Sequence, residues 1–438
     1  MNENNSILNN NSEPSPKKKV SFVHVSSANQ SAEKQTAQPN SAPPQAQYQA
    51  QPDRPQPPQP QYRQPQAQSA PPQGYSPYAA QYGYNPYGQY GSYPQNPYYY
   101  GQYPYYNPQL AAEQYQRQLK IEQAKKKIRF LGNMAGISIL LFLVMNVIIS
   151  TVILVPSVKE LYSSSAAFQS AFSMVASFFY IFIPFLITFA VVRKREPEVE
   201  FFPFGKIKPK RALLCIPIGL AVCLAANIIT NLLIQLLSSA GVELSQPSDS
   251  MAKIETVPAL LLSLAATAIM PALLEEFALR GVIMQPMRKY GMAFAIICSS
   301  VIFGIMHGNL IQAPFAFIVG LGLAFFAIKC GSLWIGVIIH MLNNGYSVIL
   351  SFLENRVAEK TLETANYIVA GAIALLAVVC AAILFVSDKD LFKKETGNIS
   401  CEDAKLLNAG QKAFAFFVNV PMIISFVFIA LLTIQYVK

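Results

Sequence analysis

The feature that most constrains this chain is a series of long apolar runs. A helix that crosses a hydrocarbon core of about 30 Å needs about 20 residues. Nine runs approach or exceed this length, and because several are short or contain proline, the true count could be eight or ten. They lie near residues 131–155, 167–192, 211–238, 257–284, 291–308, 312–328, 333–353, 366–386 and 413–436. The sequence therefore predicts an all-α, polytopic membrane protein, with its helical membrane domain at 131–438.

The first part of the chain has a different composition. Residues 1–110 are rich in Gln, Pro, Ser, Asn and Tyr and contain almost no long aliphatic run. Such a segment buries too little apolar surface to offset the entropy of the chain, so a disordered N-terminal tail is predicted. The first residues are polar, which argues against a secretory signal, and the run near Leu131 would be an internal anchor.

Basic residues predict the orientation in the membrane. Residues 111–130 are expected to form a basic juxtamembrane helix, and positive charge beside a span is typical of the cytoplasmic side. This helix could also bind anionic lipid. With alternating spans, the opposite loops hold few basic residues, chiefly Lys159, Lys253, Arg356 and Lys360. We therefore predict a multi-pass protein of the cell membrane with a cytoplasmic N-terminus and an outside C-terminus.

Charge and cysteine content exclude other classes of protein. The net charge of +10 arises largely from the predicted cytoplasmic loops and the juxtamembrane segment. The sequence has no basic face with interleaved aromatic residues, so nucleic acid is not an expected partner. The six cysteines form no CxxC pair, which favours apolar packing over a disulfide or zinc framework. The lipid bilayer is the expected environment, and the sequence does not predict an oligomeric state.

Function is sought among polar residues inside the apolar runs. An ionisable side chain at membrane depth costs at least about 2.5 kcal/mol, so such residues are functional candidates by default. A rise of about 1.5 Å per residue puts the candidates of three different runs at a similar depth. These residues are Glu275, Glu276 and Arg280 in the fourth run, His307 in the fifth, and His340 and Asn344 in the seventh.

Helical spacing predicts some of the contacts, because residues four apart share a helix face. Glu276 should pair with Arg280, which leaves Glu275 free to act as a base. The alternative for Arg280 is a cation that extends to the membrane interface. Phe303 and His307 should likewise share a face, so that the phenyl ring shields the imidazole from lipid.

The three patterns resemble a known family when they are read together. EExxxR, FxxxH and HxxxN, in this order on successive membrane helices, are similar to the motifs of the CPBP family. That family contains type II CAAX prenyl endopeptidases and bacterial relatives linked to bacteriocin processing and self-immunity. The resemblance covers about residues 257–350. It implies an intramembrane endopeptidase whose substrate is a membrane-associated protein or peptide precursor.

The resemblance also implies roles for the candidate residues. Glu275 and His307 would activate a water molecule, and His340 and Asn344 would stabilise the oxyanion. Glu276 and Arg280 would orient the first motif. The residue types fit this chemistry, because a carboxylate can take a proton from water and two donors on one helix face can meet an oxyanion.

A metal-dependent mechanism remains a second possibility for the same residues. Glu275, His307 and His340 could supply the three protein ligands of a catalytic zinc. However, HExxH is absent, and Asn344, one turn after His340, is a poor zinc ligand but a good hydrogen-bond donor. We therefore favour a mechanism with no cofactor.

Two other functions are compatible with these residues. A catalytically silent member of the family would be a membrane binding or immunity protein. A proton-coupled transporter would also keep carboxylates and histidines at membrane depth, but the sequence shows no repeat of the EExxxR element. Nothing in the sequence shows whether the substrate is prenylated.

Overall fold

The computed structural model describes residues 107–205, 209–244, 252–354, 356–392 and 405–437. The predicted disordered tail lies outside these residues, apart from its last four positions. Within the described ranges the helices are α1 (Pro108–Ile153), α2 (Pro156–Ser164), α3 (Ala166–Arg195), α4 (Pro209–Ser239), α5 (Val257–Tyr290), α6 (Met292–Met306), α7 (Gln312–Cys330), α8 (Leu333–Glu354), α9 (Glu359–Ser387), α10 (Lys389–Phe392), α11 (Ala409–Phe417) and α12 (Val420–Ile434).

Seven of these helices are long and apolar enough to cross a membrane, namely α1, α3, α4, α5, α7, α8 and α9. The prediction of an all-α, multi-pass integral membrane protein is confirmed. Among the residues that the structure describes, seven spans, or eight if α11 and α12 form one, stand against the nine predicted. The fifth predicted run forms the apolar helix α6, whose 15 residues reach about 22 Å, which is less than the thickness of a hydrocarbon core.

The ninth predicted run is broken because its chain turns at Asn419. The axes of α11 and α12 meet at 76°. Asn419 caps α12 by accepting a hydrogen bond from the Met422 amide at 3.1 Å, and its own amide donates to the Phe416 carbonyl at 2.7 Å. The bend is therefore held by side-chain hydrogen bonds that replace the missing helical ones.

The predicted juxtamembrane helix and the first span form one helix. The 46 residues of α1 begin after Asn107, whose side chain accepts from the amides of Gln109 and Leu110. Its small residues allow α11 and α12 to approach closely, since a Cβ built at Gly132 would lie 2.1 Å from the Phe416 carbonyl oxygen. Packing of this kind holds membrane helices together where lipid removes the hydrophobic driving force.

Helix α5 carries most of the polar candidates and is irregular. Two of its segments are π-helical, with hydrogen bonds between residues five apart, and π segments often occur at functional sites. They comprise Leu264–Ile269 and Glu276–Met284. Pro271 lies between them and has no amide hydrogen to donate to the Thr267 carbonyl, four residues earlier. The motif EExxxR thus spans the start of a π segment.

The buried apolar residues form two main clusters. One joins α1, α3, α5, α6, α11 and α12, and the other joins α4, α8 and α9. Helix α7 contributes to both, with Ala316 and Ala324 in the first and Val319 and Leu323 in the second. The polar candidates on α5, α6 and α8 lie where these two clusters adjoin.

Candidate active site

The first motif contains an ion pair that is fully enclosed by protein. Arg280 Nη1 lies 2.8 Å from Glu276 Oε1, and the two side chains are only 0% and 1% exposed. The predicted contact between Glu276 and Arg280 is therefore confirmed. The alternative of an interfacial cation is wrong, because the Arg280 guanidinium does not reach the surface.

Arg280 also joins α5 to two other helices. Its Nη2 donates to the Gly320 carbonyl of α7 at 3.1 Å, and its guanidinium carbon lies 4.7 Å from the centre of the Phe303 ring on α6. Buried charges are stable only when paired and hydrogen-bonded, and a cation over an aromatic face gains further attraction. Arg280 is thus the centre of the contact between three helices.

Glu276 fixes the position of α8. Its second oxygen lies so close to Gly336 that a Cβ at this residue would be 2.7 Å from Glu276 Oε2. Only glycine allows this approach without displacing the carboxylate. One turn further along α8, His340 Nδ1 lies 3.4 Å from Glu276 Oε1.

His340 lies between the two carboxylates of the first motif. Its Nε2 is 3.6 Å from Glu275 Oε2, and the residue is only 5% exposed. Glu275 is more accessible, with 19% of its side chain exposed against 1% for Glu276. Glu275 thus lies outside the ion pair of Glu276 with Arg280, and His340 contacts both carboxylates.

His307 is held at the end of α6, where the ring is partly exposed. Its Nδ1 lies 2.9 Å from the Phe303 carbonyl oxygen, and the two rings meet edge-on with centres 5.1 Å apart. Phe303 also contacts His340, whose ring centre is 5.9 Å from that of Phe303. The predicted contact of Phe303 with His307 is confirmed, and the same phenyl ring contacts both imidazoles.

The hydrogen bond of His307 determines which ring nitrogen is basic. A carbonyl oxygen only accepts, so Nδ1 of His307 carries the hydrogen in this contact. In the neutral imidazole Nε2 then has the free lone pair. His307 is therefore arranged to accept a proton at Nε2.

Asn344 is one turn beyond His340 on α8 and is tied to the π segment of α5. Its Nδ2 donates to the Thr267 carbonyl at 3.2 Å, and its Oδ1 accepts from Asn343 Nδ2 at 3.1 Å. Thr267 is the residue whose carbonyl receives no α-helical bond from Pro271. Because an amide nitrogen has two hydrogens, Asn344 retains one for another acceptor.

Asn309 is a buried residue that was not among the predicted site residues. Its Nδ2 donates to the His307 carbonyl at 2.9 Å, and its Oδ1 accepts from the Gln312 amide at 2.8 Å. Gly308, between them, has a positive φ of 65°, and Thr433 donates to its carbonyl. Asn309 with Gln312 three residues later is a capping pattern, so the signal was present in the sequence.

The arrangement of the described side chains was compared with the requirements of a metal site. In the part of the chain that the structure describes, no three His, Cys, Asp or Glu side chains are grouped closely enough to hold a metal ion. The alternative zinc site of Glu275, His307 and His340 therefore does not fit this structure. His307 makes its ring contact with a carbonyl oxygen and a phenyl ring, while His340 lies between two carboxylates.

A comparison with known families gives a match within the membrane domain. Residues 257–346 match the family of Rce1-like type II CAAX prenyl endopeptidases. This chain contains an Rce1-like domain. No curated protein and no solved structure matches it.

The Rce1-like domain includes all six candidate residues. It begins at the first residue of α5 and ends within α8, two residues after Asn344. The resemblance seen in the EExxxR, FxxxH and HxxxN patterns is confirmed. Helices α1–α4 and α9–α12 lie outside the matched segment, which is about a fifth of the 438 residues.

Proposed function

We propose that this protein is an intramembrane endopeptidase that hydrolyses a peptide bond of a membrane-associated protein or peptide precursor. The Rce1-like domain indicates a protease, and the seven or eight spans indicate that its substrates are membrane-associated. The charge of the chain supports a cytoplasmic N-terminus, as predicted from the basic residues near the first span.

The observation that carries this proposal is the difference between two adjacent carboxylates. Glu276 is buried and paired with Arg280, whereas Glu275 is partly exposed and lies beside His340. A paired, inaccessible carboxylate cannot meet a water molecule, but its neighbour can. We assign Glu275 as the general base and Glu276 with Arg280 as the groups that position it.

His307 supports the same step from the opposite helix. Its Nδ1 is engaged by the Phe303 carbonyl, so Nε2 is the nitrogen available to the attacking water. In our proposal Glu275 removes the proton of this water while His307 orients it. The oxygen then attacks the scissile carbonyl carbon, and the proton held by Glu275 passes to the leaving amine.

His340 and Asn344 are the proposed donors to the oxyanion. His340 Nδ1 faces an oxygen of Glu276, so this nitrogen donates there, and Nε2 is the ring nitrogen that faces Glu275. In our proposal a hydrogen on Nε2, together with the free hydrogen of Asn344, stabilises the negative charge of the tetrahedral intermediate.

The test is cleavage of membrane-tethered peptides by the purified full-length protein in liposomes. Prenylated and unprenylated versions of each peptide define the substrate class. We expect Glu275→Gln to lower the rate about 100- to 10,000-fold without changing expression or unfolding, since only the base is lost. Glu359→Gln, an exposed glutamate on α9, is the matched control and should be fully active.

Two outcomes would contradict this proposal. If Glu275→Gln retained activity within tenfold of the wild type, Glu275 would not be the base. The second outcome is that the wild type cleaves none of the peptides but binds them with the same affinity as Glu275→Gln. The protein would then be a catalytically silent binding protein.

A further inference from the structure

A cavity lies at one end of the membrane domain, outside the Rce1-like domain. It has a volume of about 390 Å³ and is lined by the first turns of α4 and the end of α9. Its lining combines charged and apolar side chains: Lys210, Arg211, Leu214, Leu384, Val386, Ser387, Asp388 and Lys389. We call it the cationic cavity.

The base of the cationic cavity is a neutral ion pair. Arg211 Nε lies 2.5 Å from Asp388 Oδ2, and Arg211 Nη2 donates to Asp388 Oδ1 at 2.7 Å. Arg211 Nη1 also donates to the Lys329 carbonyl at the end of α7. This two-pronged contact fixes the ends of three helices and matches the charge of Asp388.

The two lysines of the cationic cavity have no acidic partner comparable to Asp388 among the described residues. Lys210 and Lys389 are exposed, and neither makes an ion pair with another residue among those that the structure describes. Because the charges of Arg211 and Asp388 cancel, the lining carries two unbalanced positive charges, those of the lysines. Two ammonium groups in the lining of one cavity fit a phosphate group.

The apolar side of the cavity faces the bilayer. Leu214 and Leu384 are buried in its wall, while Leu213, Phe385 and Val386 beside them are exposed by 71%, 69% and 76%. These residues belong to membrane-spanning helices, so their exposed surfaces contact lipid. A ligand with a phosphate head and an apolar tail matches both parts of this surface.

The cavity is at the membrane end that we predict to be cytoplasmic. The Lys329 carbonyl that binds Arg211 is at this end, and so is Lys289, which pairs with Glu196. Anionic phospholipids are concentrated in the cytoplasmic leaflet, and basic pockets between membrane helices on this side bind their headgroups. We propose that the cationic cavity binds the headgroup phosphate of an anionic glycerophospholipid, with its acyl chains along α4 and α9.

The test is lipid binding by the full-length protein, counted by native mass spectrometry from mixed micelles of phosphatidylglycerol and phosphatidylcholine. We expect the wild type to prefer phosphatidylglycerol, and the double variant Lys210→Gln/Lys389→Gln to bind it about 30-fold more weakly, at about fivefold for each lysine. The variant Lys210→Arg/Lys389→Arg should retain binding, because it keeps both charges.

The matched control is Arg193→Gln/Lys194→Gln, which removes two exposed positive charges at the same end but outside the cationic cavity. It should bind phosphatidylglycerol like the wild type. Equal losses in both double variants would show that the effect is general surface charge and would overturn the proposal. The proposal would also be overturned if inorganic phosphate displaced phosphatidylglycerol and bound with the same affinity. The acyl chains would then contribute nothing to binding.

Discussion

Replacement of Arg280 by methionine tests the central contact of the site. Methionine is long and apolar, so it fills most of the space of the arginine but cannot carry its charge. It removes the 2.8 Å ion pair with Glu276, the hydrogen bond to the Gly320 carbonyl and the contact with Phe303. Glu276 is then left as a buried carboxylate that keeps the contact with His340 at 3.4 Å but has lost its arginine.

The expected loss of unfolding free energy follows from this burial. Breaking a buried pair by removing one partner costs about 3–5 kcal/mol, because the other charge remains uncompensated. Solvent does not screen this pair, since its side chains are 0% and 1% exposed. A second change to Glu276→Gln removes the stranded charge, so the double variant should recover at least about 2 kcal/mol. It should still be inactive, because the group that positions Glu275 is gone.

The measurement is equilibrium unfolding in detergent micelles, with peptide cleavage assayed on the same samples. Arg117→Met, the same substitution at an exposed position of α1, should change the unfolding free energy by less than about 0.5 kcal/mol. The reasoning would be refuted if Arg280→Met lost less than about 1 kcal/mol and kept full activity, or if the double variant were less stable than Arg280→Met.

Three further predictions concern the surroundings of the site. Gly336→Ala should lower the cleavage rate at least about tenfold, because its Cβ would lie 2.7 Å from Glu276 Oε2. The control Gly371→Ala, whose Cβ would have no atom within 4 Å, should be fully active. Equal cleavage rates of the two variants would contradict this prediction. Asn309→Ala should lower stability by about 1 kcal/mol and also turnover, because the hydrogen bonds of Asn309 with the His307 carbonyl and the Gln312 amide are lost. An unchanged rate constant would show that Asn309 does not position His307. Turnover should survive extended chelation; loss that zinc alone restores would favour the metal-dependent mechanism.

The sequence predicted the features that depend on short segments of chain. Long apolar runs predict membrane helices because the solvation of each run by lipid depends on its own composition. The contacts of Glu276 with Arg280 and of Phe303 with His307 were predicted for a similar reason, since one turn of helix brings residues four apart together. The order of the three motifs along the chain was sufficient to indicate the family of the Rce1-like domain.

Span number was only partly predictable, because composition does not show where a helix stops or bends. Helix α6 ends at Met306, and two residues later Gly308 has a φ of 65°, which does not continue a helix. The turn between α11 and α12 depends on hydrogen bonds of Asn419 with residues three positions away on each side. Both features involve polar or flexible residues within apolar runs, where average hydropathy gives no signal.

Tertiary structure decided how the motifs meet. Spacing within α8 placed His340 and Asn344 on one face, but it could not set the rotation and depth of α8 against α5. The rotation and depth of α8 are determined by its close approach to α5 at Gly336 and by the π segment that begins at Glu276. These two features place His340 between both carboxylates. A helix fixes its own residues through local hydrogen bonds, whereas contacts between helices depend on the packing of every side chain at the interface.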